Sequence, residues 1–370
     1  MEKILNDREL LLLQFVREAL WRKEALPKAM DADELQALMV LARQHAVPAL
    51  VADAVVRNGL VTNDDCTLEM VAVCMKHRKK TKMVTEHLLA VTSVLEQAQV
   101  PYVIFKGQAM AALYPEAWMR STGDVDFYVP ASDFQRAVQL LRSQLRVSID
   151  EDKLDKHYTF TFQTTRFEMH YRVETFGCAK HQQRFDALID GSMINHPVAI
   201  KIGEKGYISV LEPVADMVVV FKHLFNHLLV EGVGLRQVCD FALMLYKYHG
   251  HYDTKVLEQR LREIGYLRAF RAMLALAVHY LGLQEASLPW PLNHNDARWG
   301  TRLMKEIMQS GNFGRKRRQH RKEGRAKSLE TAWYAMRHCV AFLPLAPRDI
   351  AGLVPKRIGI TLSKYTRKKT

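Results

Sequence analysis

Arg120-Ser-Thr-Gly-Asp124-Val-Asp126-Phe-Tyr-Val129 follows, after about a dozen residues, the β-rich run Val100-Pro-Tyr-Val-Ile-Phe105 and its Lys106-Gly107. On a strand the side chains alternate between faces, so Asp124 and Asp126 point the same way while Val125 points into a core. Two carboxylates held side by side are hard oxygen ligands for divalent cations. They can share metal ions whose remaining positions go to water and substrate phosphates. An isolated Asp-x-Asp is equally an ordinary strand start, so its meaning rests on what surrounds it.

Downstream, His157-Tyr-Thr-Phe-Thr-Phe162 and Arg166-Phe-Glu-Met-His-Tyr-Arg-Val173 are two further β-like runs, joined by the hairpin-length Gln163-Thr-Thr165. On the second, Glu168, His170 and Arg172 share one face, while Phe167, Met169, Tyr171 and Val173 share the other. That alternation reads as a polar site wall over an apolar core. Gln108 to Tyr114 and Ser132 to Leu141 carry helical spacing between the strands.

Helical periods flank this region on both sides. Leu10, Phe15, Val16 and Leu20, then Leu35, Leu38, Met39 and Ala42, recur at three-and-four spacing, with Asp7 and Asp31 or Asp33 as expected caps. A third pattern, from Asp64 to about Gln97, carries the basic run Lys76 to Lys82, which reads as a solvated face, with phosphate contact as the alternative. After Glu212, Pro213 suits a first helical turn, and Met217, Phe221, Leu224 and Leu228 follow in period. Gly232 and Gly234 break that helix, Leu235 to Tyr248 forms the next, and two or three more run to about residue 309. The expected fold is α+β, a small mixed sheet over residues 98–210 flanked by helical regions 1–97 and 211–311, with a basic tail from 312 to 370.

The chain has 370 residues, 48% hydrophobic and 25% charged, the values of an ordinary globular protein with room for two or three domains. No apolar run approaches the ~18 residues of a membrane span, and Met1-Glu-Lys-Ile-Leu-Asn-Asp lacks a signal-peptide layout, so a cytoplasmic location is expected. Five scattered cysteines without Cys-x-x-Cys spacing argue against a disulfide framework and against a zinc knuckle. Residues 312–370 hold 16 Lys and Arg against 3 acids, which accounts for the whole net charge of +13. Such a segment suits RNA or an anionic membrane surface, and Trp333, Tyr334, Phe342 and Leu343 lie among its charges.

The order strand, Lys-Gly at a helix start, Asp-x-Asp on the next strand and one more acid on a later strand resembles the DNA-polymerase-beta-like nucleotidyltransferase superfamily. More narrowly, Phe105-Lys-Gly107, Tyr114-Pro115, Arg120, Asp124-Val-Asp126 and Glu168-Met-His170-Tyr-Arg172 look like an uncharacterised bacterial nucleotidyltransferase family, with a weaker match through His223, His227, Arg236 and Asp240. The resemblance covers about residues 100–245. It implies a transferase that moves a nucleoside monophosphate from an NTP to a hydroxyl acceptor, with pyrophosphate released. Asp124, Asp126 and Glu168 are then the catalytic residues and the ligands of two Mg²⁺ ions. Lys106, Gly107, Gln108, Arg120, His170, Arg236 and Asp240 are assigned to the nucleotide. Gly107 would open a helix whose N–H groups hold phosphate oxygens. Gln108 stands where the superfamily usually has Ser or Gly, and Glu168 where it commonly has Asp.

Other readings stay open. Asp150, Glu151, Asp152 and Asp155 are rivals for the third acid but fall in a polar linker. Arg120 either holds the loop before the strand or contacts phosphate. Arg236 and Asp240, four apart, are either a helical ion pair or part of the cleft wall. His223 and His227 lie four apart on one helix face, but Leu224 replaces the Glu of a zincin motif, which favours packing or nucleotide contact over zinc. An RNA-modifying transferase using the tail and a degenerate, non-catalytic nucleotide-binding or membrane-associated protein are the alternative functions.

Overall fold

Helices supply most of the structure, a computed structural model that describes residues 4–61, 64–151, 156–194, 197–314, 316 and 324–353. Four of them precede the sheet: α1 Asp7–Trp21, α2 Ala32–Gln44, α3 Pro48–Asn58 and α4 Asp64–Gln97. Asn6 caps α1, accepting from the Glu9 amide while the Glu9 carboxylate accepts from the Asn6 amide. The cap is therefore Asn6, with the expected Asp7 in the first turn, where its charge still complements the helix dipole. Asp31 and Glu34 form the same reciprocal box at α2. Helix α3, with Pro48 in its first turn and Ala49, Leu50, Val51, Ala52, Ala54 and Val55 buried, is an element that the sequence reading did not separate.

The sheet has five strands, β1 Val103–Phe105, β2 Val125–Tyr128, β3 Ile149–Asp150, β4 His157–Phe162 and β5 Thr165–His170, in the order β1-β2-β5-β4-β3. All neighbours are antiparallel except β2 and β5, which run parallel and place Asp126 opposite Glu168 and Tyr128 opposite His170. The fold is thus α+β with a small mixed sheet. Gln163, with φ of 55°, makes the left-handed residue of the tight β4–β5 turn. Between strands lie the five-residue helix α5 Gly107–Ala111 and α6 Ala131–Leu145. Next come α7 Ala179–Ile194 and a separate two-stranded hairpin, β6 Val198–Ile202 with β7 Gly206–Val210.

Six helices complete the described chain: α8 Pro213–Val230, α9 Leu235–Tyr248, α10 Thr254–Glu263, α11 Leu267–Leu281, α12 His294–Ser310 and α13 Gly324–Phe342. Helix α8 is long and apolar enough to cross a membrane, but 78% of its apolar stretch is buried inside the protein. A helix apolar on every side is what a core position requires. The buried apolar residues form one contiguous cluster from Leu5 to Leu353, so the helices before and after the sheet share its core.

Part of the segment expected as a basic tail is built into that core: α13 packs on α8, and Cys339, Phe342, Leu345 and Ile350 are buried. Asp349 anchors it. Its carboxylate accepts from the Lys222 ammonium at 2.9 Å, from the Tyr266 hydroxyl and from the backbone amides of Gly177 and Cys178. Both Lys222 and Asp349 are fully buried. Gly177 belongs to the same junction, because a Cβ there would fall 2.1 Å from the Asp349 carbonyl oxygen. Lys316 is tied as well, donating to Glu9 at 2.7 Å and to the Met308 carbonyl at 2.8 Å. The remaining basic runs, Arg317 to Lys322 and Lys356 to Lys369, lie outside the described residues.

Breaking the Lys222–Asp349 pair from one side strands a buried charge. The Asp349→Ala variant is expected to lose about 3–5 kcal/mol in chemical denaturation, and Lys222→Met combined with Asp349→Leu to recover most of that loss. Equal losses in the single and double variants would show that the ion pair is not the anchor.

Candidate active site

A cleft of about 690 Å³ opens over the β1–β2–β5 side of the sheet. Its floor carries Asp124, Asp126 and Glu168; its walls carry Arg43 from α2, Lys80 from α4, His223 and His227 from α8, and Arg236 from α9. Asn312 and Phe313 close one side. Of the residues singled out by sequence, the cleft gathers Lys106, Gly107, Arg120, Asp124, Asp126, Glu168, Arg236 and Asp240, and leaves Gln108 and His170 outside its lining.

The floor follows from strand geometry. Asp126 lies inside β2 and Asp124 just before its first residue, so both point to the same side. The parallel register sets Glu168 beside Asp126. Repulsion in this group is visible in Glu168, whose carboxyl is pushed up to about 7 by burial and then by the charges of Asp126 and Asp124, with Lys106 opposing. Asp126 behaves oppositely. Burial opposes its ionisation, yet the Lys106 ammonium at 2.8 Å and a hydrogen bond from His170 at 3.0 Å hold it well below the usual carboxylate range.

Lys106 reaches Asp126 from an unusual backbone. It sits at φ of 59° and ψ of −140° immediately before Gly107, which has φ of 32°. A positive φ at a non-glycine residue is strained, and such strain collects at functional sites. With α5 only five residues long and Lys106 paired with an acid, Lys106 neutralises the floor in this state. The Gln108 side chain turns the other way, is buried, and donates to the Thr85 hydroxyl on α4 at 3.0 Å. It anchors α5 to α4.

His170 is likewise relocated. Its ring is buried beneath the floor, and burial lowers its pKa to about 4, against the pull of Asp126. A neutral ring has one N–H, and the shorter contact, from Nε2 to Asp126 at 3.0 Å, makes Nε2 the donor over Nδ1, 3.3 Å from the Arg172 carbonyl. Among the described residues, the three ligand-type atoms found mutually within 4.8 Å belong to His157, Glu168 and His170. That nitrogen-rich set is suited to zinc more than to magnesium. The carboxylates of Asp124, Asp126 and Glu168 are the hard donors. Their mutual repulsion, read in Glu168, is the charge excess that a divalent cation relieves, so the residues present fit such an ion.

Arg120 and Asp240 answer each other. The guanidinium donates to both oxygens of Asp240 at 2.8 Å, with both side chains buried, and the Tyr114 hydroxyl donates to the same carboxylate at 2.8 Å. The pair holds the loop before β2 against α9, and the bidentate geometry fixes its angle. Asp240 therefore pairs with Arg120 across 120 residues of sequence, in place of Arg236 four residues away. Arg236 donates to the Ser121 carbonyl at 3.1 Å, stitching α9 to the same loop.

Two further side chains belong to the cleft region. Lys80, within the run read as a solvated face, donates to the Thr122 carbonyl at 3.0 Å and lines the cleft. Glu174, buried just after β5, is held well below the usual carboxylate range: burial opposes its ionisation, but Lys156 at 2.9 Å and His223 at 2.8 Å prevail. His223 in turn is held well below its ordinary value by burial, by Lys106 3.3 Å from its Nδ1, and by His227, whose ring centroid is 4.3 Å away. A neutral His223 donating from Nδ1 to Glu174 keeps Nε2 as the lone-pair atom of a side chain that is one quarter exposed, at 24%, on the cleft wall.

The sequence model of a family described as "Uncharacterised nucleotidyltransferase" matches residues 31–282, about two thirds of the chain. The matched region includes every cleft-lining residue named above except Asn312 and Phe313. It reaches further than the resemblance read from motifs, taking in α2 to α4 and continuing through α11. No curated protein matches the chain. The crystal structure of an antigenic nucleotidyltransferase-like protein from Paracoccidioides brasiliensis is similar over 54% of this chain and 94% of its own, at 14% identity and a TM-score of 0.32.

The raised Glu168 has a stability signature. Its folded pKa of about 7 lies above the ordinary value of 4.5, so its ionisation destabilises the metal-free protein progressively as pH rises from about 4.5 through 7. Glu168→Gln is expected to raise Tm at pH 8, by at most about 3 kcal/mol of stability, with the gain vanishing toward pH 5. A thermal scan series showing no gain at pH 8 would mean that the carboxylates do not repel.

Proposed function

We propose that this chain, which belongs to the uncharacterised nucleotidyltransferase family, transfers a nucleoside monophosphate from an NTP to a hydroxyl-bearing acceptor and releases pyrophosphate. The carrying observation is the convergence of three carboxylates and a basic wall in one cleft of about 690 Å³. Acids alone would suit many cations, and basic residues alone many anions; their apposition suits a metal-bound polyphosphate.

Asp124, Asp126 and Glu168 are the residues that would hold divalent cations, Mg²⁺ by the hardness of their donors. Bound there, the cations would polarise the reacting phosphate and lower the pKa of the attacking hydroxyl. Lys80 and Arg236 supply positive charge for triphosphate oxygens, and Lys106, on exchanging Asp126 for a phosphate, adds a third cation. Arg120 and Asp240 act as positioning residues, since their mutual pair fixes the Ser121 to Asp124 loop. His223, kept neutral with its Nδ1 proton directed at Glu174, presents Nε2 to receive the acceptor's proton. Arg43, His227 and Phe313, at the outer wall, face the acceptor.

Purified protein incubated with each labelled NTP, Mg²⁺ and cell extract is expected to release pyrophosphate and label one class of acceptor. Asp126→Asn should reduce this at least about a hundredfold, and His223→Gln should slow turnover more at low pH than at high pH while leaving NTP affinity intact. Mg²⁺-dependent NTP binding that is unchanged by Asp124→Asn with Asp126→Asn would contradict the assignment.

A further inference from the structure

Helix α13 has two different faces. Tyr334, His338, Cys339 and Phe342 are buried, between 2% and 7% exposed, while Trp333, Met336, Val340 and, one residue past the helix end, Leu343 are 65%, 46%, 71% and 40% exposed. The exposed four recur at three-and-four spacing along one stripe, continued by the exposed Pro344 and Pro347. Single exposed apolar residues are ordinary, but a contiguous stripe of large ones marks an interaction surface. The four aromatic and apolar residues noted in the sequence divide accordingly: Tyr334 and Phe342 anchor the helix, and Trp333 and Leu343 face outward.

Charge selects the partner. Between Ala332 and Leu353 the charged residues are Arg337 and Arg348, both exposed, and Asp349, which is buried against Lys222. Glu330 lies at the start of the stripe, half-buried. In the sequence, eight Lys and Arg between Arg315 and Lys327 precede the stripe and six between Lys356 and Lys369 follow it. RNA would engage those cations but has no use for an outward Val340 and Met336. A second copy would bring two segments of 16 Lys and Arg against 3 acids together, which is repulsive.

We propose that this outward face of α13 docks on an anionic lipid bilayer. Trp333, Met336, Val340 and Leu343 enter the boundary between headgroups and acyl chains, with the helix lying in the membrane plane. Arg337 and Arg348 meet the anionic headgroups, and the positive charge of the sequence on either side adds to the attraction. Trp333 is suited to that depth, since its ring is apolar and its N–H reaches the wet interface. The surface is independent of the nucleotidyl-transfer reading.

The test is flotation of the full chain with phosphatidylcholine vesicles, with and without about 30 mol % phosphatidylglycerol, at about 0.1 M salt. The protein is expected to float only with the anionic vesicles. Met336→Ser with Val340→Ser, which keeps every charge, should lower the bound fraction about tenfold or more, as should Arg337→Gln with Arg348→Gln. Brominated lipid should quench tryptophan emission in the parent and not in Trp333→Phe, which still floats. All five positions are exposed, so the variants retain the core. The proposal is overturned by absent flotation, by equal flotation on neutral vesicles, or by flotation indifferent to the two serines. It is also overturned if the serine pair abolishes retention of a homopolymer RNA, or if gel filtration shows a dimer that the serine pair dissociates.

Discussion

The structure is organised around an unfavourable arrangement, two carboxylates placed side by side on adjacent parallel strands. Asp126 and Glu168 are held in register by the β2–β5 pairing, and a one-residue slip would send one of them into the apolar core. Like charges at that spacing raise the free energy of the metal-free protein, and its neighbours are arranged to offset this. Lys106, from a strained backbone position, and the buried His170 both attend to Asp126, which leaves Glu168, raised first by its burial, to carry the residual repulsion. A site of this kind is maintained at a cost in stability, and its electrostatics become favourable once positive charge enters the cleft.

Two buried ion pairs hold the helical surroundings in place. Arg120 and Asp240 lock the loop before β2 to α9, and Lys222 and Asp349 lock α8 to the segment after α13. Both pairs join elements far apart in sequence, and both are accompanied by a tyrosine hydroxyl that donates to the same carboxylate. Because a buried charge that loses its partner is expensive, each pair resists relative movement of the elements it joins. The cleft walls are therefore fixed with respect to the floor through side chains that are already paired with one another.

The local part of this design was legible in the sequence. Alternation marked the strands, the Asp-x-Asp step marked the floor, and the period of the helices placed α4 and α9 within a residue or two. What could not be read were choices made by long-range packing. Asp240 had a nearby candidate in Arg236, but the folded chain offers it Arg120, whose planar guanidinium can grip both oxygens. Gln108 and His170 were assigned to the nucleotide by resemblance, and the pairing of their side chains with Thr85 and Asp126 is long-range packing that no local pattern announces. Glu174 gave no signal, since a lone acid after a strand looks the same whether it faces solvent or a cleft, and the basic run holding Lys80 left solvent and phosphate contact undecided for the same reason. The basic tail concealed a helix because its charge dominated its composition, while Tyr334, His338 and Phe342 form the periodic buried face.

The account stands or falls on which atoms of the floor take a divalent cation. Crystals grown with Mn²⁺ and a non-hydrolysable NTP analogue, with diffraction recorded for the anomalous signal of manganese, answer this directly. The account predicts manganese bound by Asp124, Asp126 and Glu168 with the triphosphate alongside, and Lys106 moved from Asp126 to a phosphate. Manganese held by His157 and His170 with Asp124 uninvolved, or a triphosphate bound away from the three carboxylates, would contradict it.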